Sequence, residues 1–167
     1  MLTVGKMIDD LLRIKTYEEE IKAKIMKKLT TPRIDRCIGC HSCSIACARL
    51  VHKQISWDTA GIRIKSSGGL TTGFKTNHCL ACDPAPCADA CPTGAFSRRR
   101  GGGVIVKKKL CINCGDCVIA CPIDAIFQDY SGAVYVCIHC GRCVDFCPHN
   151  CLEMEEIDAG TNEEETA

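Results

Sequence analysis

Aromatic residues make up only 5% of the 167 positions, with a single tryptophan, so the chain has few large side chains from which to build a conventional core. The same scarcity removes the stacking platforms that single-stranded nucleic acid needs. Long apolar runs are missing too, since no stretch approaches the roughly eighteen apolar residues of a membrane span. No Walker loop or dinucleotide fingerprint is present, and Gly101-Gly102-Gly103 reads as a turn. The formal net charge of +1 gives no field of one sign. Near the N-terminus Asp9 and Asp10 interrupt any apolar core of an export signal, so the expected setting is the cytoplasm, with reduced thiols.

Cysteine is abundant. Sixteen of the 17 fall into four tight groups: Cys37, Cys40, Cys43, Cys47; Cys79, Cys82, Cys87, Cys91; Cys111, Cys114, Cys117, Cys121; and Cys137, Cys140, Cys143, Cys147. Three groups have the spacing C-x2-C-x2-C-x3-C, the second widens one gap, and the last three are each followed by proline: Pro92, Pro122 and Pro148. Three thiolates crowded into seven residues suit three iron corners of one cube, whereas zinc more often takes two separated C-x2-C knuckles. Four [4Fe–4S] clusters are the expectation; a colourless zinc-structured interaction module and disulfides are the alternatives. Sixteen thiolates and four oxidised cores would move the formal charge from +1 to about −7, which the lysines and arginines partly offset.

In dicluster ferredoxins the fourth cysteine of a motif reaches the neighbouring cluster, so motifs work in pairs. The links between groups are 31, 19 and 15 residues long. The 19-residue link best suits the hairpin-bearing connection within one dicluster unit, which pairs group two with three and leaves group one with four outside. The ligand sets become Cys37, Cys40, Cys43, Cys147 (cluster 1); Cys79, Cys82, Cys87, Cys121 (cluster 2); Cys111, Cys114, Cys117, Cys91 (cluster 3); and Cys137, Cys140, Cys143, Cys47 (cluster 4). Sequential pairing, one with two and three with four, stays open.

The fold class expected is α+β: two bacterial-ferredoxin-like dicluster units, one inserted in the other, with an N-terminal helical arm. Residues 34–70 and 133–154 would form the outer unit and residues 71–132 the inserted one. Hairpins are expected where 95–98 turns back as 104–106 and where 125–128 turns back as 133–136, with short helical turns near the third cysteines. Residues 1–33 carry apolar positions at helical spacing (Val4, Met7, Ile8, Leu11, Ile14; then Ile21, Ile25, Met26, Leu29), an arm for partner docking, self-association or folding back. Residues 155–167 are acidic and expected to be disordered. Arg98, Arg99, Arg100 and Lys107, Lys108, Lys109 sit on opposite arms of one hairpin and should form one basic knob, either a docking surface or a solvated tip. His41, His78, His139 and His149 lie in or beside motifs, where an imidazole could hydrogen-bond near sulfur or relay a proton. Cys151 aligns with Ala95 and Ala125 and reads as a small packed residue, not a ligand.

Every motif supplies a full ligand set, so no catalytic residue is expected and the chain reads as a single-electron wire without activity of its own. The motif order, with the widened Cys79-Leu80-Ala81-Cys82-Asp83-Pro84-Ala85-Pro86-Cys87, resembles the four-cluster subunits of molybdenum and tungsten enzymes of the dimethyl sulfoxide reductase and formate dehydrogenase type. Its compact length, with Cys37-Ile38-Gly39-Cys40-His41-Ser42-Cys43 and Cys137-Ile138-His139-Cys140-Gly141-Arg142-Cys143, looks more like the polyferredoxin subunit of tungsten-dependent aldehyde:ferredoxin oxidoreductases. That resemblance implies the nested pairing and a large tungsten- or molybdenum-containing catalytic subunit that interconverts aldehyde and carboxylic acid. It also implies an anaerobic setting and a ferredoxin, flavin or NAD partner for the electrons. A free-standing polyferredoxin serving several enzymes would have the same motifs.

Overall fold

The computed structural model describes residues 25–68, 73–99 and 102–158. Among the described residues eight strands pair two by two, always antiparallel. Strand β1 (Ile25–Thr30) lies against β8 (Glu153–Asp158), so the two ends of the described chain meet. Strand β2 (Ile62–Ser66) pairs with β3 (Phe74–His78), β4 (Phe96–Arg98) with β5 (Val104–Val106), and β6 (Ile126–Gln128) with β7 (Val134–Val136). Helix α1 (Ser42–His52) carries Cys43 and Cys47 of motif one, while α2 (Pro86–Asp89) and α3 (Asp116–Ile119) are single turns around Cys87 and Cys117. Among the described residues no helix is long and apolar enough to cross a membrane.

Two hairpins form where glycines and β-branched return strands predict them, β4–β5 and β6–β7. The helical arm needs correction at its end. Residues 25–30 form a strand, because each charge of Lys27-Lys28 faces an acid across the ladder: Lys27 lies opposite Glu156, with an ion pair of 2.9 Å, and Lys28 opposite Glu155. Leu29, opposite Met154, is buried at 1% exposure. The same pairing orders 155–158 of the acidic tail, while the rest of both segments, 1–24 and 159–167, lies outside the described residues.

Apolar side chains gather into two cores. One joins Leu29, Ala48, Ile62, Ile64 and Leu152 with Cys43, Cys47, Cys137 and Cys143. The other joins Ala85, Phe96, Val104, Ile126, Val134 and Val136 with Cys87 and Cys117. Cys79 packs against both. Where they meet, the Arg99 guanidinium donates to the Ile138 carbonyl, and Gly61 lies so close to Val136 that an added Cβ would come within 2.6 Å of its backbone.

Candidate metal centres

The sulfurs stand around cavities whose other walls are apolar. Cys37, Cys40, Cys43 and Cys147 line one of about 350 Å³, with Ile34, Ile64 and Leu152 among its walls. A second, of about 360 Å³, is lined by Cys79, Cys82, Cys87 and Cys121 with Val104 and Ile126. A third, of about 330 Å³, is lined by Cys47, Cys137, Cys140 and Cys143 with Leu29 and Ile62. The remaining four thiols also converge: Cys117 is pushed up to about 11, first by burial and then by Cys111, Cys114 and Cys91 beside it. No two of the cysteines are joined by a disulfide.

Local backbone explains this convergence. The loop before each third cysteine passes through a left-handed residue, His41 at φ 59°, Ala81 at 56°, Asn113 at 58° and His139 at 52°. The fourth cysteine then sits beyond a helical turn and accepts a main-chain N–H: Gly61 N to Cys47 Sγ (3.3 Å), Phe96 N to Cys91 (3.4 Å), Ala125 N to Cys121 (3.3 Å) and Cys151 N to Cys147 (3.2 Å). These donors favour the thiolate, and the Phe96 N–H foremost holds Cys91 below the ordinary thiol range.

Burial acts in the opposite direction on several of the most enclosed ligand candidates. It pushes Cys43 and Cys87 up to about 11, Cys143 up to about 12, and Cys137 higher still. Deprotonating such grouped, buried thiols requires positive charge among them, which iron ions supply. Among the described residues no three cysteine, histidine or carboxylate side chains are arranged to hold a single metal ion. Four soft sulfur donors lining one cavity fit a cluster rather than one tetrahedral ion.

The histidines are placed otherwise than as sulfur donors. His139 Nδ1 accepts from Leu29 N (3.0 Å) and His78 Nε2 donates to Leu29 O (3.1 Å), so the two rings hold both main-chain groups of one β1 residue. Burial holds each below the ordinary histidine range, His139 at about 4. His41 stacks on Trp57 with ring centres 4.3 Å apart, and His149 lines the Cys37 cavity. Most donors near sulfur are main-chain N–H groups, which carry no side-chain signature, and the Thr93 hydroxyl lies 3.7 Å from Cys91 Sγ. Cys151 is 2% exposed, as Ala95 and Ala125 are 1%.

The comparisons with known proteins agree with this chemistry. Two models, each described as a 4Fe–4S dicluster domain, match residues 36–95 and 103–148. A polyferredoxin-like subunit of an aliphatic sulfonate oxidoreductase from Pyrococcus furiosus is 41% identical over 107 residues, covering 62% of this chain and 58% of that one. The electron transport protein HydN of Escherichia coli is 37% identical over 108 residues, covering 60% and 59%. The formate dehydrogenase iron-sulfur subunit of Wolinella succinogenes is 37% identical over 92 residues, covering 54% and 46%. The chain thus spans less than two thirds of the length of each of these relatives. It comprises two 4Fe–4S dicluster domains, and its cofactors are four [4Fe–4S] clusters.

Proposed function

We propose that the chain is a non-catalytic electron-transfer subunit that relays single electrons between a tungsten- or molybdenum-containing catalytic subunit and a ferredoxin, flavin or NAD partner. The coarser part of this reading is supported by the relatives, whose names place two of these three among subunits of oxidoreductases. The aldehyde and carboxylic acid chemistry of the catalytic partner follows from the resemblance of the compact motif set. The observation that carries the relay is the grouping of all sixteen motif thiols into four sets.

Within this reading motifs one and four form an outer pair, into which the pair formed by motifs two and three is inserted. Cys37, Cys40, Cys43 and Cys147 hold cluster 1; Cys79, Cys82, Cys87 and Cys121 hold cluster 2; Cys111, Cys114, Cys117 and Cys91 hold cluster 3; Cys137, Cys140, Cys143 and Cys47 hold cluster 4. The shared cavities support the first, second and fourth sets. The two dicluster matches divide the chain in sequence order instead, at 36–95 and 103–148, because a contiguous match cannot follow a nested connection. Each bound cluster would supply one reversible electron. The chain's part is to hold sulfur in dry pockets, which favours the less charged oxidised state. The main-chain N–H groups of Gly61, Phe96, Ala125 and Cys151 work against that bias by stabilising added negative charge. Besides burial, the nearby Cys79 helps to raise the pKa of Cys137, so the inner and outer pairs approach each other there.

Anaerobic purification with metal analysis tests this reading. The expected result is about sixteen irons per chain, four per cluster, with tungsten or molybdenum in a co-purifying large subunit. Zinc in place of iron would reject the relay; iron-loaded chain isolated alone would favour the free-standing carrier.

A further inference from the structure

The described basic residues of the β4–β5 region, Arg98, Arg99, Lys107, Lys108 and Lys109, do not form one knob, and Arg100 lies outside the described residues. Arg98 is engaged by Asp89 at 3.2 Å and Asp83 at 3.7 Å, and Arg99 donates to Ile138 O, so these arginines hold the fold together. Lys107, Lys108 and Lys109 are different. All three are exposed and, among the described residues, none forms an ion pair. Only Lys108 has an internal partner, its Nζ lying 6.0 Å from the Tyr135 ring centre.

These lysines sit beside one set of thiols. Lys108–Leu110 is a 3-10 turn that leads directly into Cys111, and the Lys107 N–H donates to Ala95 O, in the segment that follows Cys91. Exposed apolar side chains flank the exposed Cys114 in sequence: Leu110 is 49% exposed, Ile112 63% and Ile119, at the end of α3, 85%. The tip of the β6–β7 hairpin packs on this loop through Gln128, which donates to Asn113 O (3.1 Å), and presents a fully exposed Tyr130. One acid, Asp116, is exposed here against the three lysines. Water-facing isoleucines flanking a ligand cysteine, edged by unpaired cations, have the make-up of a transient protein interface: an apolar centre with a charged margin.

We propose that the surface formed by Lys107, Lys108, Lys109, Leu110, Ile112 and Ile119 docks a small electron-carrier protein with an acidic face, which exchanges one electron with the cluster held by Cys91, Cys111, Cys114 and Cys117. The inference rests on the relay reading and names the place and charge of one partner. In the exchange the reduced carrier loses one electron, the oxidised cluster gains it, and no proton or bond is transferred. Long-range attraction brings the carrier in, and the isoleucines exclude water once it has arrived.

The test uses the iron-loaded full chain and an acidic plant-type [2Fe–2S] ferredoxin as the probe. Affinity is measured by calorimetry with the oxidised ferredoxin, and electron transfer from the reduced form by stopped flow. Charge reversal in a Lys107→Glu, Lys108→Glu, Lys109→Glu variant should weaken binding by at least about tenfold near 0.05 M salt and flatten its salt dependence. The same reversal at Lys65 and Lys75, on β2 and β3, should leave both readouts unchanged. Iron content of each sample is determined alongside. Absence of iron in the unaltered chain would mean that the relay reading has failed. Full iron with unchanged ferredoxin affinity in the triple variant would overturn the docking surface alone, as would an equal loss in the Lys65 and Lys75 variant. Binding of phosphatidylglycerol vesicles that the triple reversal abolishes while ferredoxin affinity stays the same would also overturn it, and would assign the lysines to a lipid surface.

Discussion

The inner and outer groups of cysteines use nearly the same ligand spacing on different scaffolds. The inner region, motifs two and three, consists of two similar halves. Each has a four-residue helix around its third cysteine, a hairpin of two three-residue strands, and an N–H donated to its fourth cysteine from four or five residues later. The outer region has no such repetition. Motif one carries its third and fourth cysteines on the 11-residue α1, which is followed by a long link with β2 and β3; motif four is followed by turns and then β8, closed by β1. In the inner region the hairpins and metal centres form nearly all of the core, whereas the outer region adds Leu29, Ile62, Ile64 and Leu152. Ligand spacing therefore fixes where sulfur stands and leaves the surrounding structure free to vary.

Removal of iron should give the largest effect. Anaerobic chelation is expected to abolish most of the far-ultraviolet circular dichroism, since few large apolar groups remain to hold the pairs of strands together. Hydrogen exchange should show protection in β4–β7 lost before that in α1. Retention of full ellipticity by the iron-free chain would erase the contrast drawn here.

Gly61→Ala is the next largest. A Cβ there would meet the backbone carbonyl of Val136 at 2.6 Å and Cys137 N at 2.7 Å, where the two regions touch and neither backbone can yield cheaply. Thermal unfolding of the iron-loaded protein should show a loss of about 1–3 kcal/mol. Gly68→Ala, with nothing within 4 Å of its Cβ but a φ of +104°, should lose only about 1 kcal/mol. Equal losses would show that the junction is not tightly packed.

A smaller effect concerns the β6–β7 turn. Asp129 accepts from Ser131 Oγ (2.6 Å), Ser131 N (2.8 Å), Tyr135 Oη (2.9 Å) and Ala133 N (3.0 Å), and the Ser131 hydroxyl foremost lowers its pKa. A depressed carboxylate stabilises the fold above its unfolded pKa of about 4 and loses that contribution as pH falls through the folded value. The Asp129→Asn variant should lack this slope in acid denaturation curves, while iron content at neutral pH is unchanged. An identical acid slope in the variant would assign it elsewhere.

Cys151→Ala should have the smallest effect of all. Cys151 fills in the outer region the place that Ala95 and Ala125 fill in the inner one, and all three are buried. Full iron content is expected; loss of about four irons per chain would make Cys151 a ligand.

The inner region was the more legible from sequence. Its strands announce themselves through β-branched return segments and turn glycines, as in Gly102-Gly103 before Val104 and Gly132 before Val134. Strands β2 and β3 give a weaker signal, because the alternating Ile62-Arg63-Ile64 and Phe74-Lys75-Thr76 are separated by a longer link in which Gly68, Gly69 and Gly73 are scattered. The partner of β1 lies more than a hundred residues away, and only the facing charges of Lys27-Lys28 and Glu155-Glu156 hint at it. Apolar spacing in 21–29 matches a helix just as well, and tertiary pairing overrides it. The thiols themselves were plain in the sequence. What it could not provide were the N–H groups of Gly61, Phe96, Ala125 and Cys151 aimed at sulfur, because a main-chain donor has no residue type.

Nested ligation is tested most directly by iron and acid-labile sulfide analysis of Cys43→Ser, Cys147→Ser and the double variant. If Cys43 and Cys147 hold the same cluster, each single variant and the double variant should all retain about twelve irons per chain. Retention of only about eight by the double variant would place the two cysteines on different clusters and contradict the account.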